Sequence, residues 1–228
     1  MAVEKQEHSE NVTFREISYD ETKPFLLYKH YAHRMPSISY SYGVEMSGKL
    51  VGVLTFGSPA SRPLTIGVAG KEYARNVIEL NRLYIDDDVS KSNLASQLVS
   101  YGLKKLKPLN KIVVSYADSG MGHIGYIYQA TNFMYTGKTK TRTDKWVGVG
   151  KHPRHYENGF SSTYRVVRSA KYRYIFIAGD KRFKREVLLH LNYKPIPYPK
   201  GDDRHYKIGD TKPTMLVDKD GNKKVIRG

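Results

Sequence analysis

The sequence predicts a mixed α/β fold that continues into a strongly basic C-terminal region. A continuous apolar run at residues 111–118 is typical of a strand buried at the centre of a sheet, and residues 77–85 are predicted to form another strand. The segment between them has helical periodicity, so strand, helix and strand follow one another as in an α/β unit. No apolar run reaches the ~20 residues that a membrane-spanning helix needs. The chain has no cysteine, which excludes disulfides and thiolate metal sites.

Three further elements and a loop are predicted before the first central strand. Alternating residues at 11–18 indicate a strand, and helical spacing indicates a helix that begins at the N-cap candidate Asp20 and ends at Pro36. Residues 38–57 consist of two strand-like runs around a turn, which predicts a hairpin. Segment 58–70 contains proline and glycine and is predicted to be a loop.

The helix between the central strands presents an apolar face formed by Leu94, Leu98, Tyr101 and Leu103, and Pro108 lies just past its end. The rest of the chain also divides into elements. The predictions are a glycine-rich turn and short helix within 122–131, a strand at 132–137, a long loop at 138–164, a strand at 170–179, a helix opened by Asp180, extended backbone around Pro195, Pro197 and Pro199, and a basic tail.

The net charge of +16 is the strongest compositional signal. Residues 1–137 contain 15 Lys and Arg against 13 Asp and Glu, whereas residues 138–228 contain 23 against 9. We therefore expect a polar leader at 1–10, a nearly neutral catalytic core at 11–137 and a basic extension at 138–228 that packs on the core. A surface this basic attracts polyanions, and its interleaved tyrosines favour nucleic acid over an anionic membrane. The polar, acidic N-terminus does not look like a signal peptide, so we expect a cytoplasmic protein.

Two long segments carry a family resemblance. "IELNRLYIDDDVSKSNLASQLVSYGLKKL" at 78–106 and "VVSYADSGMGHIGYIYQATNFMYTG" at 113–137, with "YKHYAHRMP" at 28–36, resemble the Mom family of bacteriophage DNA-modification proteins. Residues 171–201 are more weakly similar. The resemblance implies a fold like that of GNAT acyltransferases. It also implies an enzyme that uses acetyl-CoA to convert adenine in double-stranded DNA to an N6-carbamoylmethyl-type derivative, which protects phage DNA from host restriction in the cytoplasm of the infected bacterium.

Two other functions remain open on the sequence. One is an ordinary GNAT acyltransferase that acts on a small amine or a protein lysine. The other is a DNA-binding protein without enzymatic activity. Acetyl-CoA binding without any change to DNA would favour the first, and salt-dependent DNA binding without CoA binding would favour the second.

The GNAT resemblance implies that acetyl-CoA lies where two central strands diverge, with its pyrophosphate at the N-terminus of the following helix. The candidate cofactor residues are Leu83, Tyr84, Ser90, Ser92, Asn93, Asn132 and Tyr135. The segment "DDDVSKSNLA" lacks the glycines of the usual pyrophosphate loop and carries three consecutive acids. This departure affects how the cofactor is expected to lie. For Asn132, the alternative is a helix cap.

Several residues are candidates for catalysis. Arg82 is a charged residue in a buried strand, which a ligand phosphate, a catalytic carboxylate or an ion pair with Glu79 would satisfy. Asp118 ends the second central strand and is a candidate general base or metal ligand, or simply a cap on the turn after it. Ser115, on the same strand, can bond the same ligand or pack. Tyr128 is a candidate acid at the departing CoA sulfur or a base-stacking residue, with core packing as the alternative.

The histidines suggest further roles. His30, Tyr31 and His33 lie at the end of the first predicted helix, and His30 and His33 are spaced to share a face. With Asp118, they form a possible two-histidine, one-carboxylate iron site, and otherwise they are pocket or surface residues. His123 and Gln129 are candidates for contacting the substrate base. The candidates for DNA phosphate contacts are Arg142, Lys145, Arg154, Arg165, Arg173, Arg182 and Arg185.

Overall fold

The computed structural model describes residues 11–89, 93–148, 163–203 and 213–226. Its strands are β1 (Val12–Glu16), β2 (Tyr40–Met46), β3 (Lys49–Gly57), β4 (Val77–Ile85), β5 (Lys111–Asp118), β6 (Met134–Lys138), β7 (Arg142–Lys145), β8 (Arg165–Arg168), β9 (Lys171–Ala178), β10 (Thr214–Val217) and β11 (Lys223–Ile226). Its α-helices are α1 (Tyr19–Lys23), α2 (Arg62–Ala69), α3 (Leu94–Leu106), α4 (Tyr126–Ala130) and α5 (Lys181–His190).

Seven strands form the main sheet in the order β1-β2-β3-β4-β5-β9-β6. All neighbouring strands are antiparallel except β4 and β5, which are parallel and are joined through α3. Strand β9 lies between β5 and β6, so residues beyond 137 complete the same sheet. The predicted mixed α/β fold is confirmed.

The core lies on both sides of this sheet. On one side, the apolar face of α3 packs on Leu54, Phe56 and Val113. On the other side, α2 and α5 pack on a cluster that includes Ile112 and Ile175. Strand β5 is therefore buried on both faces, which explains why its sequence is a continuous apolar run.

The first helix differs from its prediction. Ser18, not Asp20, is the N-cap, and its side chain and that of Glu21 form a capping box. Helix α1 continues into a π-helical turn at Pro24–Lys29, and His30 is already extended. The predicted helix to Pro36 is wrong because the hydrogen-bond pattern changes at Pro24, which has no N–H to donate.

Two predicted loops and the tail contain regular structure. Segment 58–70 includes α2, which starts after Ser61 and has proline in its first turn, a position that helices tolerate well. The predicted loop at 138–164 includes β7, and the basic tail includes β10 and β11. These three strands join β8 in a second sheet of order β11-β10-β8-β7. Among the described residues, no helix is long and apolar enough to cross a membrane.

The approach of α3 to the sheet depends on Gly102. A Cβ at this position would lie 2.7 Å from Leu54 Cδ2 and 2.8 Å from Phe56 Cε2. We expect Gly102→Val to lower the free energy of unfolding by about 1–3 kcal/mol through overpacking, measured by denaturant unfolding. Helix propensity alone would favour valine over glycine, so a loss in Gly102→Val reports overpacking. Lys104→Val, at an exposed position of the same helix, is the control for placing a β-branched residue in α3. Equal losses for the two variants would contradict this packing.

Candidate active site

The candidate site begins where β4 and β5 separate. The two strands pair only from Val77–Glu79 to Ile112–Val114, although β4 continues to Ile85 and β5 to Asp118. Beyond the last pair, the strands leave an opening at the centre of the sheet. The backbone of β4 that faces this opening is not paired with β5.

A β-bulge at Asn81 accompanies this separation. Leu80 pairs with Phe56 and Arg82 pairs with Thr55, so Asn81 is the extra residue. Its side chain is fixed on both sides, because Oδ1 accepts a hydrogen bond from Thr55 Oγ1 at 2.6 Å and Nδ2 donates to the Ser37 carbonyl at 2.7 Å. The bulge is thus held by side-chain contacts as well as by the sheet.

The bulge changes the face on which Arg82 lies. Leu80 and, after the bulge, Leu83 both pack on the α3 side of the sheet. In a regular strand, residues two apart share a face and residues three apart do not. The extra residue therefore places Arg82 on the side opposite α3, the side from which Tyr31 and Arg34 influence its charge.

Arg82 is a largely buried cation with an unused donor. Its Nη1 donates to the Asn81 carbonyl at 2.6 Å, but its buried Nε has no hydrogen-bond partner among the described residues. Burial is the main cause that lowers the pKa of Arg82, and the positive charge of Arg34 lowers it further. A guanidinium stays charged in proteins, so the site carries a positive charge that can still donate to a ligand.

His30, Tyr31 and His123 form an aromatic group near Arg82. His30 is 6% exposed, and its ring stacks on Tyr31 with a centroid separation of 4.4 Å. Tyr31 meets His123 edge-on at 6.2 Å. The backbone N–H of Ala32 donates to His30 Nδ1 at 3.0 Å, so the ring proton of neutral His30 is on Nε2.

Burial, followed by the charges of Arg82, His33 and His123, lowers the pKa of His30 to about 3. His30 is therefore a neutral imidazole at physiological pH. Its role in a reaction is to donate through Nε2–H or to position a ligand, since it has little basicity.

Tyr128 and Ser115 lie on the α3 side of the opening. Ser115 Oγ donates to the carbonyl of Leu80 at 2.8 Å, across the separated strands, and is hydrogen-bonded to Tyr128. Burial raises the pKa of Tyr128 well above its usual value. Tyr128 is thus a phenol that holds its proton, as an acid requires. Ser115 and Asp118 are three residues apart on β5 and lie on opposite faces, so they do not bond the same ligand from one side.

Glu79 was predicted from sequence only as a possible ion-pair partner of Arg82. It is the last residue of β4 that pairs with β5, and burial raises its pKa while Lys171 and Arg82 oppose this effect. The sequence signal was present, because an acid within an apolar strand is as costly as Arg82. A carboxyl with a raised pKa is suited to accept a proton.

Asp118 caps the turn that follows β5. Its Oδ1 accepts hydrogen bonds from the Gly120 N–H at 2.8 Å and the Ser169 hydroxyl at 2.5 Å. It is 6% exposed. Of the roles predicted for Asp118, this geometry supports the turn cap.

The proposed iron ligands do not come together. Among the described residues, which include His30, His33 and Asp118, no three His, Asp or Glu side chains are arranged to hold a metal ion. The prediction assumed that His30 and His33 lie on one face of a helix. The helix ends before His30, and His33 has a left-handed φ of 42°, so the two side chains do not share a helical face. His33 Nδ1 lies 3.0 Å from the carbonyl of Leu27, so this ring turns back on its own segment.

Asp203 fixes the turn that carries His123. One carboxylate accepts hydrogen bonds from the backbone N–H groups of Ile124, Gly125 and Tyr126, the last two at 3.1 and 3.0 Å. Gly125 is the N-cap of α4 and Tyr126 its first residue, so the carboxylate lies at the N-terminus of this helix, where a negative charge is stabilising. Gly125 has φ of 96°, and a Cβ there would overlap the ring of Tyr174, so glycine is required. No sequence pattern indicates that Asp203 reaches this turn.

The candidate cofactor residues are dispersed. Leu83 packs on the α3 side and Tyr84 in a separate cluster, while Tyr135 is buried against Tyr172 and Tyr174. Asn132 is exposed, with φ of 61° just after α4, which fits the helix-capping alternative. Asn93 is the N-cap residue of α3, although its side chain makes no capping hydrogen bond. Ser90 and Ser92 lie outside the described residues.

The candidate DNA contacts also separate into groups. Arg173 is committed within the fold, because it donates to Thr136 at 3.0 Å and lies over the Tyr193 ring at 3.4 Å. Arg182 pairs with Glu186, and Arg142 lies 3.7 Å from Asp144. Lys145 and Arg165 pair across β7 and β8.

Two other candidates of this set are placed differently. Gln129 donates to the hydroxyl of Tyr174 at 3.3 Å, so its amide has an internal partner. Arg185 is exposed on α5. Arg154 lies outside the described residues.

The structure is that of a mixed α/β protein whose two parallel central strands pair over only part of their length. The chain belongs to the Mom protein family, whose sequence profile matches residues 11–200. It is 31% identical over 188 residues to "Methylcarbamoylase mom" of Escherichia phage Mu, covering 75% of this chain and 77% of that protein. The predicted family is confirmed.

Solved acetyltransferase structures also resemble the chain. An N-acetyltransferase of Staphylococcus aureus Mu50 is 18% identical with a TM-score of 0.45, covering 74% of this chain and 99% of its own. A putative acetyltransferase of Salmonella typhimurium, solved with acetyl-CoA, is 13% identical with a TM-score of 0.47, covering 75% and 95%. An Arabidopsis thaliana structure with a bisubstrate analogue is 10% identical with a TM-score of 0.49, covering 73% and 98%.

The pKa of His30 can be measured directly. We expect its ring nitrogens, followed by ¹⁵N NMR, to keep the signals of a neutral imidazole between about pH 8 and pH 5. Because the pKa of His30 in the folded protein is below its ordinary value of 6.5, this residue makes the protein less stable as pH falls from 6.5 towards about 3. His30→Gln removes that part of the acid sensitivity. Identical pH dependence of unfolding in wild type and variant would contradict this assignment.

The contact of Asp203 with the turn is tested by Asp203→Asn. An asparagine oxygen carries no charge, and its amide group cannot accept from a third N–H, so we expect a loss of about 1.5–3 kcal/mol of stability. The amide proton signals of Ile124, Gly125 and Tyr126 should shift in a ¹⁵N–¹H NMR spectrum. Asp202→Asn is the matched control, since Asp202 is an exposed neighbour. Unchanged amide signals in Asp203→Asn would contradict the contact.

Proposed function

We propose that this protein modifies N6 of adenine in double-stranded DNA and uses acetyl-CoA as the source of the added two-carbon unit. The observation that carries the proposal is the opening between β4 and β5, with Arg82 on one side and the Tyr128–Ser115 pair on the other. Membership of the Mom family and the phage Mu relative named a methylcarbamoylase support the same chemistry. The product in an infected bacterium would protect phage DNA against restriction.

The opening suits an extended cofactor arm. An unpaired strand edge presents N–H and C=O groups to any extended ligand that carries amides. The β4 backbone beyond Glu79 is such an edge, and α3 begins on the same side of the sheet as Tyr128. We therefore place the thioester end of acetyl-CoA in the opening. Its phosphates would lie toward the N-terminus of α3, with Asn93 at the start of that helix.

The aromatic group of His30, Tyr31 and His123 suits the acceptor base. An adenine in a duplex has its N6 atom in a base pair, so it has to leave the stack before it reacts there. Flipped bases are held by stacking and by hydrogen bonds to their polar edges. Tyr31 supplies a ring face or edge and His30 a neutral Nε2–H donor.

Proton transfer can be assigned to this chain's own residues. N6 has to lose a proton when it forms a bond to carbon, and the carboxylate of Glu79 is the group with the raised pKa near Arg82. The Tyr128 phenol is placed to protonate a departing group. Acetyl-CoA supplies the two carbons but no nitrogen for an amide, and joining N6 to a methyl carbon is a two-electron oxidation. A nitrogen donor and an oxidant are therefore further reactants of the carbamoylmethyl product.

The second sheet supplies a surface for the DNA backbone. Lys145 pairs with Arg165, Arg165 with Val217, and Val217 with Lys223, so these residues form one row on one face. The other face of the sheet carries the buried Val166 and Leu216. The row therefore lies on the solvent side, where three cations at strand spacing match a phosphate backbone. Lys223 was not among the candidates from sequence.

The reaction is tested by expressing the protein with a plasmid, digesting the DNA to nucleosides and searching for a modified deoxyadenosine by mass spectrometry. We expect the adduct with wild type and roughly a hundredfold less with Tyr128→Phe, which lacks only the proposed acid. Tyr126→Phe, on the exposed face of the same helix, should behave as wild type.

Two results would count against the proposal. Unmodified deoxyadenosine from folded, well-expressed wild type would rule out the reaction, and acetyl-CoA turnover on small amines would then favour an ordinary acyltransferase. Equal adduct levels from Tyr128→Phe and Tyr126→Phe would remove Tyr128 from the mechanism while leaving the activity.

A further inference from the structure

Three arginines from distant parts of the chain come together beside the opening. Arg34 is on the segment that follows His30 and Tyr31, Arg82 is at the β4 bulge, and Arg168 ends β8. Partial desolvation and then the charge of Arg168 lower the pKa of Arg34, although much of its side chain is exposed. Arg34 in turn lowers the pKa of Arg82.

The segments that carry these arginines are in contact. The Ser37 carbonyl, three residues after Arg34, accepts from Asn81 Nδ2 at 2.7 Å beside Arg82. The Tyr31 ring lies 6.2 Å from His123, whose N–H donates to the Asp118 carbonyl at 3.2 Å, and Asp118 also accepts from Ser169, which follows Arg168. Arg34 therefore lies within electrostatic range of both other guanidinium groups.

The backbone holds these arginines in place. Strand β8 is followed by Ser169, whose hydroxyl donates to Asp118 at 2.5 Å, and by Ala170, whose carbonyl accepts from the Ser119 hydroxyl at 2.6 Å. The end of β8 is thus attached to the turn after β5. Asp144 holds the Arg168 guanidinium at 2.9 Å. The fold thus keeps these positively charged side chains close to one another despite their repulsion.

The nearby carboxylates do not accept hydrogen bonds from all of the N–H groups of these arginines. Asp144 also lies 3.7 Å from Arg142, and Asp118 is engaged by Gly120 and Ser169. Glu79 acts on Arg82 through its charge, but the Arg82 Nε remains without a hydrogen-bond partner in the described part of the chain. A cluster of forked donors with an unfilled buried N–H is arranged for an anion with several oxygens, such as a phosphate.

We propose that Arg34, Arg82 and Arg168 bind the DNA phosphate next to the target adenine, an inference that rests on the proposed function. Arg82 faces away from α3, and the cofactor phosphates are placed on the α3 side, so the phosphate belongs to the acceptor strand. Holding that phosphate beside Tyr31 and His30 fixes the flipped nucleotide at its backbone while the aromatic group holds its base. The basic extension alone does not predict this set, since Arg34 and Arg82 lie outside it.

The test combines protein variants with a neutralised phosphate. The probe is a G·C duplex with one central A·T pair, and binding is followed by fluorescence anisotropy. We expect Arg34→Ala to weaken binding about tenfold and to reduce the slope of log K against log salt by about one. A methylphosphonate at the linkages flanking the adenine should weaken wild-type binding similarly. The same methylphosphonate should hardly weaken DNA binding by Arg34→Ala any further, since this variant has already lost the contact with that phosphate.

Controls separate this contact from general charge effects. Arg182→Ala, which removes an exposed arginine paired with Glu186 on α5, should keep its full sensitivity to the methylphosphonate at the adenine. A methylphosphonate six pairs away should affect wild type and Arg34→Ala equally. Arg34→Lys, which keeps the charge without the fork, should recover part of the affinity.

Three results would overturn the inference or its premise. Additive losses from Arg34→Ala and the adenine-flanking methylphosphonate, with DNA binding intact, would overturn the phosphate contact and leave the proposed function standing. A weakened acetyl-CoA affinity of Arg34→Ala in calorimetry, with unchanged DNA binding, would assign the arginines to a cofactor phosphate instead. Wild type that fails to bind the duplex would overturn the proposed function and the inference together.

Discussion

The separation of β4 from β5 is the constraint on which the rest of the site depends. Parallel neighbours in a buried sheet normally stay paired along their length, yet these two are joined by only three residue pairs. The Asn81 bulge, held by Thr55 and Ser37, accounts for the direction that β4 takes afterwards. Because the bulge also turns Arg82 to the face opposite α3, a single extra residue lies where the β4–β5 pairing ends and sets the side on which the charge lies. The Ser115 hydroxyl, bonded to the Leu80 carbonyl, spans the start of the gap and supports Tyr128.

The chain beyond residue 137 completes this site instead of lying apart from it. Strand β9 separates β5 from β6 in the main sheet, and the turn after β5 is held from two sides, by Ser169 and by Asp203. Between Leu191 and Asp203, the backbone follows β6, with the Ile196 N–H donating to the Tyr135 carbonyl and the Tyr198 hydroxyl to that of Phe133. The segments that carry most of the positive charge are thus attached directly to the turn that presents His123. This attachment connects the proposed DNA-binding row of the second sheet to the opening through the backbone.

Local patterns predicted the central strands, α3 and α5, because apolar periodicity and N-cap residues such as Asp180 act within a few residues. The family followed instead from the resemblance of two long segments. Arg82 is also a candidate from sequence, because a charged residue in a buried strand is unusual, as are His30, Tyr31 and Tyr128, and their roles stay predictions. Arg34 and Asp203 were not candidates and Glu79 was considered only as an ion-pair partner, since their placement depends on contacts between distant segments. Asp203 and Gly125, for example, are 78 residues apart in sequence. The π-helical turn at Pro24–Lys29 ended the first helix early, and the short strands of the second sheet are too polar to stand out from loops.

The central claim is that acetyl-CoA and a DNA adenine meet at the opening between β4 and β5. It is tested most directly by incubating the protein and plasmid DNA with acetyl-CoA labelled with ¹³C at both acetyl carbons, in cell extract that supplies the remaining reactants, and measuring the mass of the modified deoxyadenosine. The account predicts an adduct heavier by the two labelled carbons. A modified deoxyadenosine of unshifted mass would contradict it, because the two-carbon unit would then come from another donor.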